Sequence, residues 1–276
     1  MAVITISRGS FSGGTLLAEC AAARLGYRCI DRDVIVTRAA AFGVSENDLR
    51  DALDRPPTFW DRFKHTKYVY LTLIQAALTE EMRAGNAIYH GNAGHLLLRA
   101  VSHVMRTRII APLAFRVAAV QERLKLSELE AVAYIQKMDD DRQKWAQYLY
   151  GVDWRDASLY DLVLNLDHLD IAQACDVIAA TARQDCFQET TASRAAMDDL
   201  ALASRVQANL AVTPATVHFE VDVTAHAKSV VVKGHLATRE QAEDVRAVVS
   251  KVPGVNEMVF ELFTQTEAQT EAQTDA

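Results

Sequence analysis

At 276 residues, half of them hydrophobic and 24% charged, the chain has the composition of a soluble globular protein with room for one large domain and one small one. A net charge of -7 argues against a general nucleic-acid binder, which carries a basic stripe, and no run approaches the roughly 18 apolar residues of a membrane span. From Met197 onward twelve acidic residues stand against six basic ones, so the acidity is concentrated late and the rest is nearly neutral. Cys20, Cys29, Cys175 and Cys186 form no C-x-x-C pair and no metal-type spacing with histidine, which suits buried or incidental thiols in a reducing cytosol. The first residues lack the basic-then-apolar layout of a leader, so the expected location is the cytoplasm.

In chain order, an apolar strand is expected over 2–6, followed by Ser7-Arg8-Gly9-Ser10-Phe11-Ser12-Gly13-Gly14-Thr15 and a helical pattern. This is the layout of a phosphate-binding loop, G-x-x-x-x-G-K-[ST], with Arg8 where the first glycine belongs and Gly14 in place of the lysine. Gly9, Ser10, Ser12, Gly13 and Gly14 let successive backbone N–H groups converge on an anion at a helix N-terminus. The Ser12 or Thr15 hydroxyl could reach a magnesium ion or a phosphate, and Arg8 is the nearest cation to replace the lysine. On the pattern alone, a plain Gly/Ser turn between strand and helix explains these residues at least as well.

Further strands are expected over 28–30, 87–90, 106–111 and 162–166, with helices over 67–84, 127–150 and 171–182 between and after them. Ser127 with Glu130 three residues on is a capping box. Strands alternating with helices indicate an α/β domain with a largely parallel sheet. Asp31-Arg32-Asp33, after the second strand, suits either a ligand-gathering sheet edge or a helix N-cap. A polar stretch over 183–194 reads as a linker. Beyond it, a helix (199–210), two strands (217–224, 229–234), a helix (238–251) and a strand (255–263) describe a small α+β domain. The closing "TQTEAQTEAQTDA" is polar, repetitive and expected to be disordered.

The blocks "ITISRGSFSGG", "LGYRCIDRDVI", "RIIAPLAFRV" and "DDDRQKWAQYLYGVDWRDASLYDLVLNL" occur in this order and together resemble the cytidylate-kinase-like family, relatives of the P-loop nucleoside monophosphate kinases. That family reads S-R-x-x-x-S-G-G at its first loop, so the absent lysine is a shared trait. The resemblance implies a three-layer P-loop kinase fold that uses ATP and Mg2+ to phosphorylate a nucleoside monophosphate such as CMP or dCMP. It implies Arg8, Arg116 and Arg142 as charge stabilisers, with Arg142 as a lid arginine. Gly9, Ser10, Ser12, Gly13, Gly14 and Thr15 would form the nucleotide cradle, with magnesium near Ser12 or Thr15. Arg32, Arg106 and Arg108 are further candidate cations, and Asp31, Arg32, Asp33 and Asn92 would border the acceptor. Family members carry Gly-Arg after the third strand, where this chain has Tyr89-His90-Gly91-Asn92, so acceptor choice or turnover differs if that arginine grips a phosphate. Trp154, Tyr160, His90 and His95 read as structural rather than catalytic. A nucleotide-binding regulatory protein with little catalysis is the alternative.

The segment from "DDLALASRV" through "VVVKGHL" to "VPGVNEMVFEL" resembles a BON domain, which implies protein or ligand contacts, regulation or homo-oligomerisation. The expected division is 1–186 kinase-like, 187–196 linker, 197–264 BON-like and 265–276 tail.

Overall fold

The structure, a computed structural model, describes residues 2–54, 65–91 and 93–264. The strand β1 (Val3–Arg8) leads through the glycine-rich loop into α1 (Gly14–Leu25), then β2 (Arg28–Asp31) and α2 (Arg32–Ala40). The helices α3 (Glu46–Asp54) and α4 (His65–Arg83) precede β3 (Ala87–His90) and a one-turn α5 (Gly94–Leu97). Next come β4 (Val104–Ile110), α6 (Leu113–Leu124), α7 (Glu128–Tyr150), β5 (Leu162–Asn165) and α8 (Ile171–Ala182). The last elements are α9 (Thr191–Val212), β6 (Val221–His226), β7 (Ser229–Leu236), α10 (Arg239–Val249) and β8 (Glu257–Thr264).

Five strands form one parallel sheet in the order β2-β3-β1-β4-β5. Val3, Ile4, Thr5 and Ile6 are all buried, as expected of a central strand covered on both faces. On one face, the alanine-rich sides of α1 and α8 (Leu17, Ala18 and Ala21; Ala174, Ile178 and Ala182) share a core with Ile4, Ile6, Ile88, Met105 and Leu164. Small residues here let the helices lie close to the sheet. The chain turns to opposite sides of β1 at β3 and β4, so the carboxyl edge of β1 is a topological switch point, where open α/β sheets bind ligands.

The local signals read from the sequence explain the element ends. Ser127 Oγ accepts from the Glu130 N–H while the Glu130 carboxylate accepts from the Ser127 N–H at 2.9 Å, so α7 starts on the expected capping box. It ends at Gly151 with φ +65. The stretch expected as a linker, 187–196, contains the start of α9. A 3-10 turn (Asp185–Phe187) is followed by α9, started by reciprocal Thr190 and Ser193 bonds of 2.9 and 3.1 Å. The strand expected from 217 begins only at Val221, because Thr216 Oγ1 donates to the Leu210 carbonyl (2.7 Å) and turns the chain first. The tail over 265–276 and Asn92 lie outside the described residues.

Contacts divide the described chain into two compact units, one of residues 2–35, 54 and 84–193, the other of 36–53, 65–83 and 194–264. The second unit joins β6-β7-β8 and α10 to α3, α4 and most of α9. In it Val206, Leu210, Val230, Val232, Val245 and Val249 form a core, and β6 turns into β7 through Ala227 and Lys228, both at positive φ. Arg83 on α4 meets Asp198 at 2.6 Å, Arg205 meets Glu80, and Gln207 donates to the Tyr68 hydroxyl at 2.9 Å.

Two glycines in the loop after β3 make room for the buried Tyr89 ring. A Cβ at Gly91 would stand 2.1 Å from the Tyr89 hydroxyl oxygen, and one at Gly94 would stand 2.5 Å from its Cδ1. Tyr89 is 2% exposed and cannot swing away. Gly91→Ala is therefore expected to destabilise the chain by about 2–3 kcal/mol, the upper range of overpacking, read as a lowered urea midpoint at unchanged slope.

Candidate active site

The loop opens where β1 ends. Gly9 N–H donates to the Ile109 carbonyl (3.2 Å), tying the turn to β4, and Ser12 closes it with N–H and hydroxyl bonds to the Gly9 carbonyl (3.3 and 2.9 Å). Gly13, at φ +77, is the N-cap of α1, and no side chain caps this helix. The first N–H groups of a helix have no partner within it. With Gly13 capping, the amides of Gly14, Thr15 and Leu16 point past the helix end, which carries partial positive charge.

Arg8 takes the space that the lysine leaves. A Cβ at Gly14 would lie 2.6 Å from Arg8 Cδ and 2.9 Å from Arg8 Cβ, so the arginine stem crosses directly over the glycine. Its guanidinium donates to Thr15 Oγ1. The cation and the glycine have thus exchanged positions relative to the usual motif, with arginine in place of lysine. Burial, then the nearby Arg123, lowers the Arg8 pKa from its ordinary value.

Two more guanidiniums reach the same loop. Arg116 on α6 lies against Gly9, where a Cβ would be 3.6 Å from its Cζ, and its Nε donates to the Ser10 carbonyl at 2.7 Å. Arg142 on α7 donates to the Arg8 carbonyl and lies 5.8 Å from the Trp154 ring centroid. Burial pushes the Arg142 pKa down to about 10, helped by Arg8, Arg116 and Arg108 and opposed by Asp139. Arg142 therefore stays charged at neutral pH, in surroundings that favour an added anion.

Asp139 is the carboxylate in this cluster, and the sequence reading did not assign it a site. It accepts from Arg116 Nη2 (2.7 Å), Ser10 Oγ (3.1 Å) and, at longer range, the Ser10 N–H (3.4 Å). Asp139 and Arg142 are three residues apart on α7, and both side chains reach the loop.

Arg106 and Arg108 serve the scaffold instead. Arg106 makes a two-pronged pair with Asp161 (2.6 and 3.0 Å). Arg108 is buried, donates to the Trp154 carbonyl (2.6 Å) and stacks 4.2 Å over the Trp154 ring. Trp154 and Tyr160 are buried packing residues, as expected. The Tyr160 hydroxyl donates to the Trp154 carbonyl (2.7 Å) and meets His95 Nε2 at 3.2 Å. That leaves neutral His95 to donate its Nε2 proton to Tyr160.

Burial, then Arg108 and Arg106, pushes the His95 pKa down to about 3. The unfolded chain takes up a proton near pH 6.5 that the folded chain refuses, so this contribution is complete above pH 6.5 and lost as pH falls towards 3. The slope is about 1.4 kcal/mol per pH unit, or about 2 kcal/mol by pH 5. His95→Gln should flatten the fall in urea midpoint between pH 7 and pH 5 relative to the parent chain.

Asp31 and Asp33 sit at the end of β2 and in the first turn of α2. Asp31 Oδ1 accepts from the Val34 N–H (2.9 Å), so it caps α2. Its register partner in β3 is His90. With β3 between β2 and β1, this Asp31-Arg32-Asp33 corner stands two strand spacings, about 10 Å, from the Arg8 end of β1 on the same sheet edge.

The cluster fits a polyphosphate: uncapped amides, a hydroxyl and three guanidiniums converge on one place. It is a poorer resident magnesium site at Ser12 or Thr15. The Ser12 hydroxyl proton goes to the Gly9 carbonyl and the residue is buried, while Thr15 Oγ1 already has the Arg8 cation beside it. Among the described residues no group of three or more His, Cys, Asp or Glu could hold a metal ion, and no helix is long and apolar enough to cross a membrane.

Residues 3–168 match the cytidylate kinase-like family and residues 198–260 match the BON domain. A cytidylate kinase from Methanothrix thermoacetophila is 25% identical over 183 residues, covering 66% of this chain and 98% of that protein. An uncharacterised protein from Eubacterium ventriosum superposes with a TM-score of 0.53 at 16% identity, over 66% of this chain and 97% of that one. A shikimate kinase from Bacteroides thetaiotaomicron aligns over 66% of this chain and 99% of its own, with a TM-score of 0.43 at 10% identity. A parallel sheet in the order β2-β3-β1-β4-β5, a lysine-free glycine-rich loop at its switch point and a family match over most of that unit lead to one conclusion: the chain belongs to the cytidylate kinase-like family and carries a C-terminal BON domain.

Proposed function

We propose that the protein transfers the γ-phosphoryl group of ATP to a small phosphorylated acceptor, a nucleoside monophosphate of the cytidylate type. One observation carries the reading: Arg8, Arg116 and Arg142 all bond within the loop that ends at an uncapped helix N-terminus, and Asp139 is the carboxylate that meets them among the described residues. Such an excess of fixed positive charge suits a polyanion whose charge is being redistributed.

In this reading the amides at the start of α1 hold the donor phosphates, and Arg8 neutralises them across Gly14. Magnesium enters with ATP, as part of the substrate complex rather than as a resident of Ser12 or Thr15. Arg116 and Arg142 come from the helices beyond the loop and stabilise the transferring phosphoryl group. Phosphoryl transfer asks the protein for little covalent chemistry, so position and charge supply most of the rate. The acceptor lies towards the Asp31-Arg32-Asp33 corner, its phosphate facing the arginines.

Coupled ATP turnover with CMP, dCMP, UMP, AMP and shikimate as acceptors tests this. Turnover with a pyrimidine monophosphate above the ATP-only background is the expected result; none with any acceptor contradicts it. The second reading, a nucleotide-binding regulator, draws on the Asp139 and Arg142 bonds that hold α7 against the loop and on Asn92 in place of an arginine. One-to-one ATP binding without conversion of any acceptor would favour it. On either reading the C-terminal module is a site of protein or ligand contact, including contact between copies of this chain.

A further inference from the structure

Asp139 stands among donors that a phosphate oxygen would use. Oδ1 accepts from the Ser10 hydroxyl (3.1 Å) and the Ser10 N–H (3.4 Å), and Oδ2 accepts from Arg116 Nη2 (2.7 Å). A backbone amide at the phosphate loop, a hydroxyl and a guanidinium form a donor set for an oxyanion, whichever acid supplies it. Arg116 is held to the same residue from its other side, through Nε to the Ser10 carbonyl (2.7 Å).

The reason is electrostatic. The side chains of Arg8 and Arg116, and Arg142 one turn beyond Asp139, gather at one loop, and burial with mutual repulsion already depresses the Arg142 pKa. Without a bound anion, a carboxylate on α7 is what offsets them. Asp140 and Asp141 are adjacent, but the loop bonds go to Asp139. Arg142 reaches the Arg8 carbonyl from the same helix, so α7 is tied to the loop at two points.

We propose that Asp139 is a built-in stand-in for a nucleotide phosphate: it latches α7 onto the loop in the unliganded chain, and an incoming polyphosphate displaces its carboxylate and frees α7 to re-aim Arg142. The inference rests on the phosphate-loop reading above. It makes Asp139 a positioning residue that sets affinity, because any polyphosphate must compete with a tethered carboxylate and binds only the open fraction. Ligands able to replace it carry at least as much negative charge, so the latch selects polyphosphates over weakly charged anions.

Inorganic tripolyphosphate is the probe, since it has no base or ribose. Titrated calorimetrically into the full chain, it should bind Asp139→Asn about 5- to 20-fold more tightly than the parent, because the amide keeps the shape but loses the competing charge. Asp140→Asn makes the same change in net charge at an exposed neighbour and should shift affinity less than about 2-fold. Amide hydrogen exchange of the 9–12 segment should be faster in ligand-free Asp139→Asn and restored by tripolyphosphate. Equal or weaker binding by Asp139→Asn, beside a parent chain that binds, overturns the latch and leaves the phosphate loop standing. An equal gain in Asp140→Asn also overturns it, as a general charge effect. Binding by Asp139→Asn alone supports the latch in its strongest form. If neither protein binds, the phosphate-loop reading fails and the latch with it.

Discussion

Arg142→Ala should lower phosphoryl transfer by about 10³-fold while changing ATP affinity by less than about tenfold. The split follows from where Arg142 stands. It is on α7, outside the loop proposed to hold the donor phosphates, and it bonds that loop at a carbonyl, that of Arg8. Removing it leaves the α1 N-terminus, Arg8 and Arg116 in place for ground-state binding. What is lost is a desolvated cation whose pKa of about 10 records how little its surroundings favour more positive charge. A guanidinium in that position gains most when charge develops on a transferring phosphoryl group. Arg142→Lys should recover little, because an ammonium loses the fork and the stacking near Trp154. Steady-state kinetics with separate kcat and KM for each substrate checks this. A large rise in KM for ATP at unchanged kcat would place Arg142 in donor binding instead.

Restoring the missing lysine should damage the loop. Gly14→Lys puts a Cβ 2.6 Å from Arg8 Cδ and 2.9 Å from Arg8 Cβ, so one of the two side chains must leave. Overpacking of this kind costs about 1–3 kcal/mol, and displacement of Arg8 also breaks its bond to Thr15. The expected result is a lower unfolding temperature and ATP binding weakened at least tenfold. Arg8→Gly alone, which removes the cation but not the fold of the loop, should also weaken binding. The double variant, Arg8→Gly with Gly14→Lys, rebuilds the usual order and should bind ATP better than either single variant. That non-additivity is the measurable signature of two residues sharing one space. Additive losses would show that Arg8 and position 14 act independently.

Much of this site was legible because local rules carry it. Gly13 needs positive φ at the N-cap, Ser127 and Glu130 form a capping box, and β1 is buried on both faces. The Arg8–Gly14 exchange could be read as a departure from a known spacing, and only the packing explains it. Distant partnerships were less legible. Asp139 belongs to a run of three aspartates, and nothing in the run says which one meets Ser10, 129 residues away. Arg106 and Arg108 look equivalent on β4, yet one is spent on Asp161 and the other on Trp154. The association of α4 with the C-terminal module depends on Arg83–Asp198 and Glu80–Arg205, pairs separated by 115 and 125 residues. Within the expected linker, Thr190 and Ser193 cap a helix that the polar composition concealed.

The proposed function requires that a lysine-free loop, with Arg8 crossing Gly14, bind nucleotide polyphosphate. Calorimetric titration of ATP into the full chain and into Arg8→Gln tests it most directly. Saturable one-to-one binding, competed by tripolyphosphate and weakened about 10- to 100-fold in Arg8→Gln, is the predicted result. No binding to the parent chain, or equal affinity in the two proteins, would contradict it.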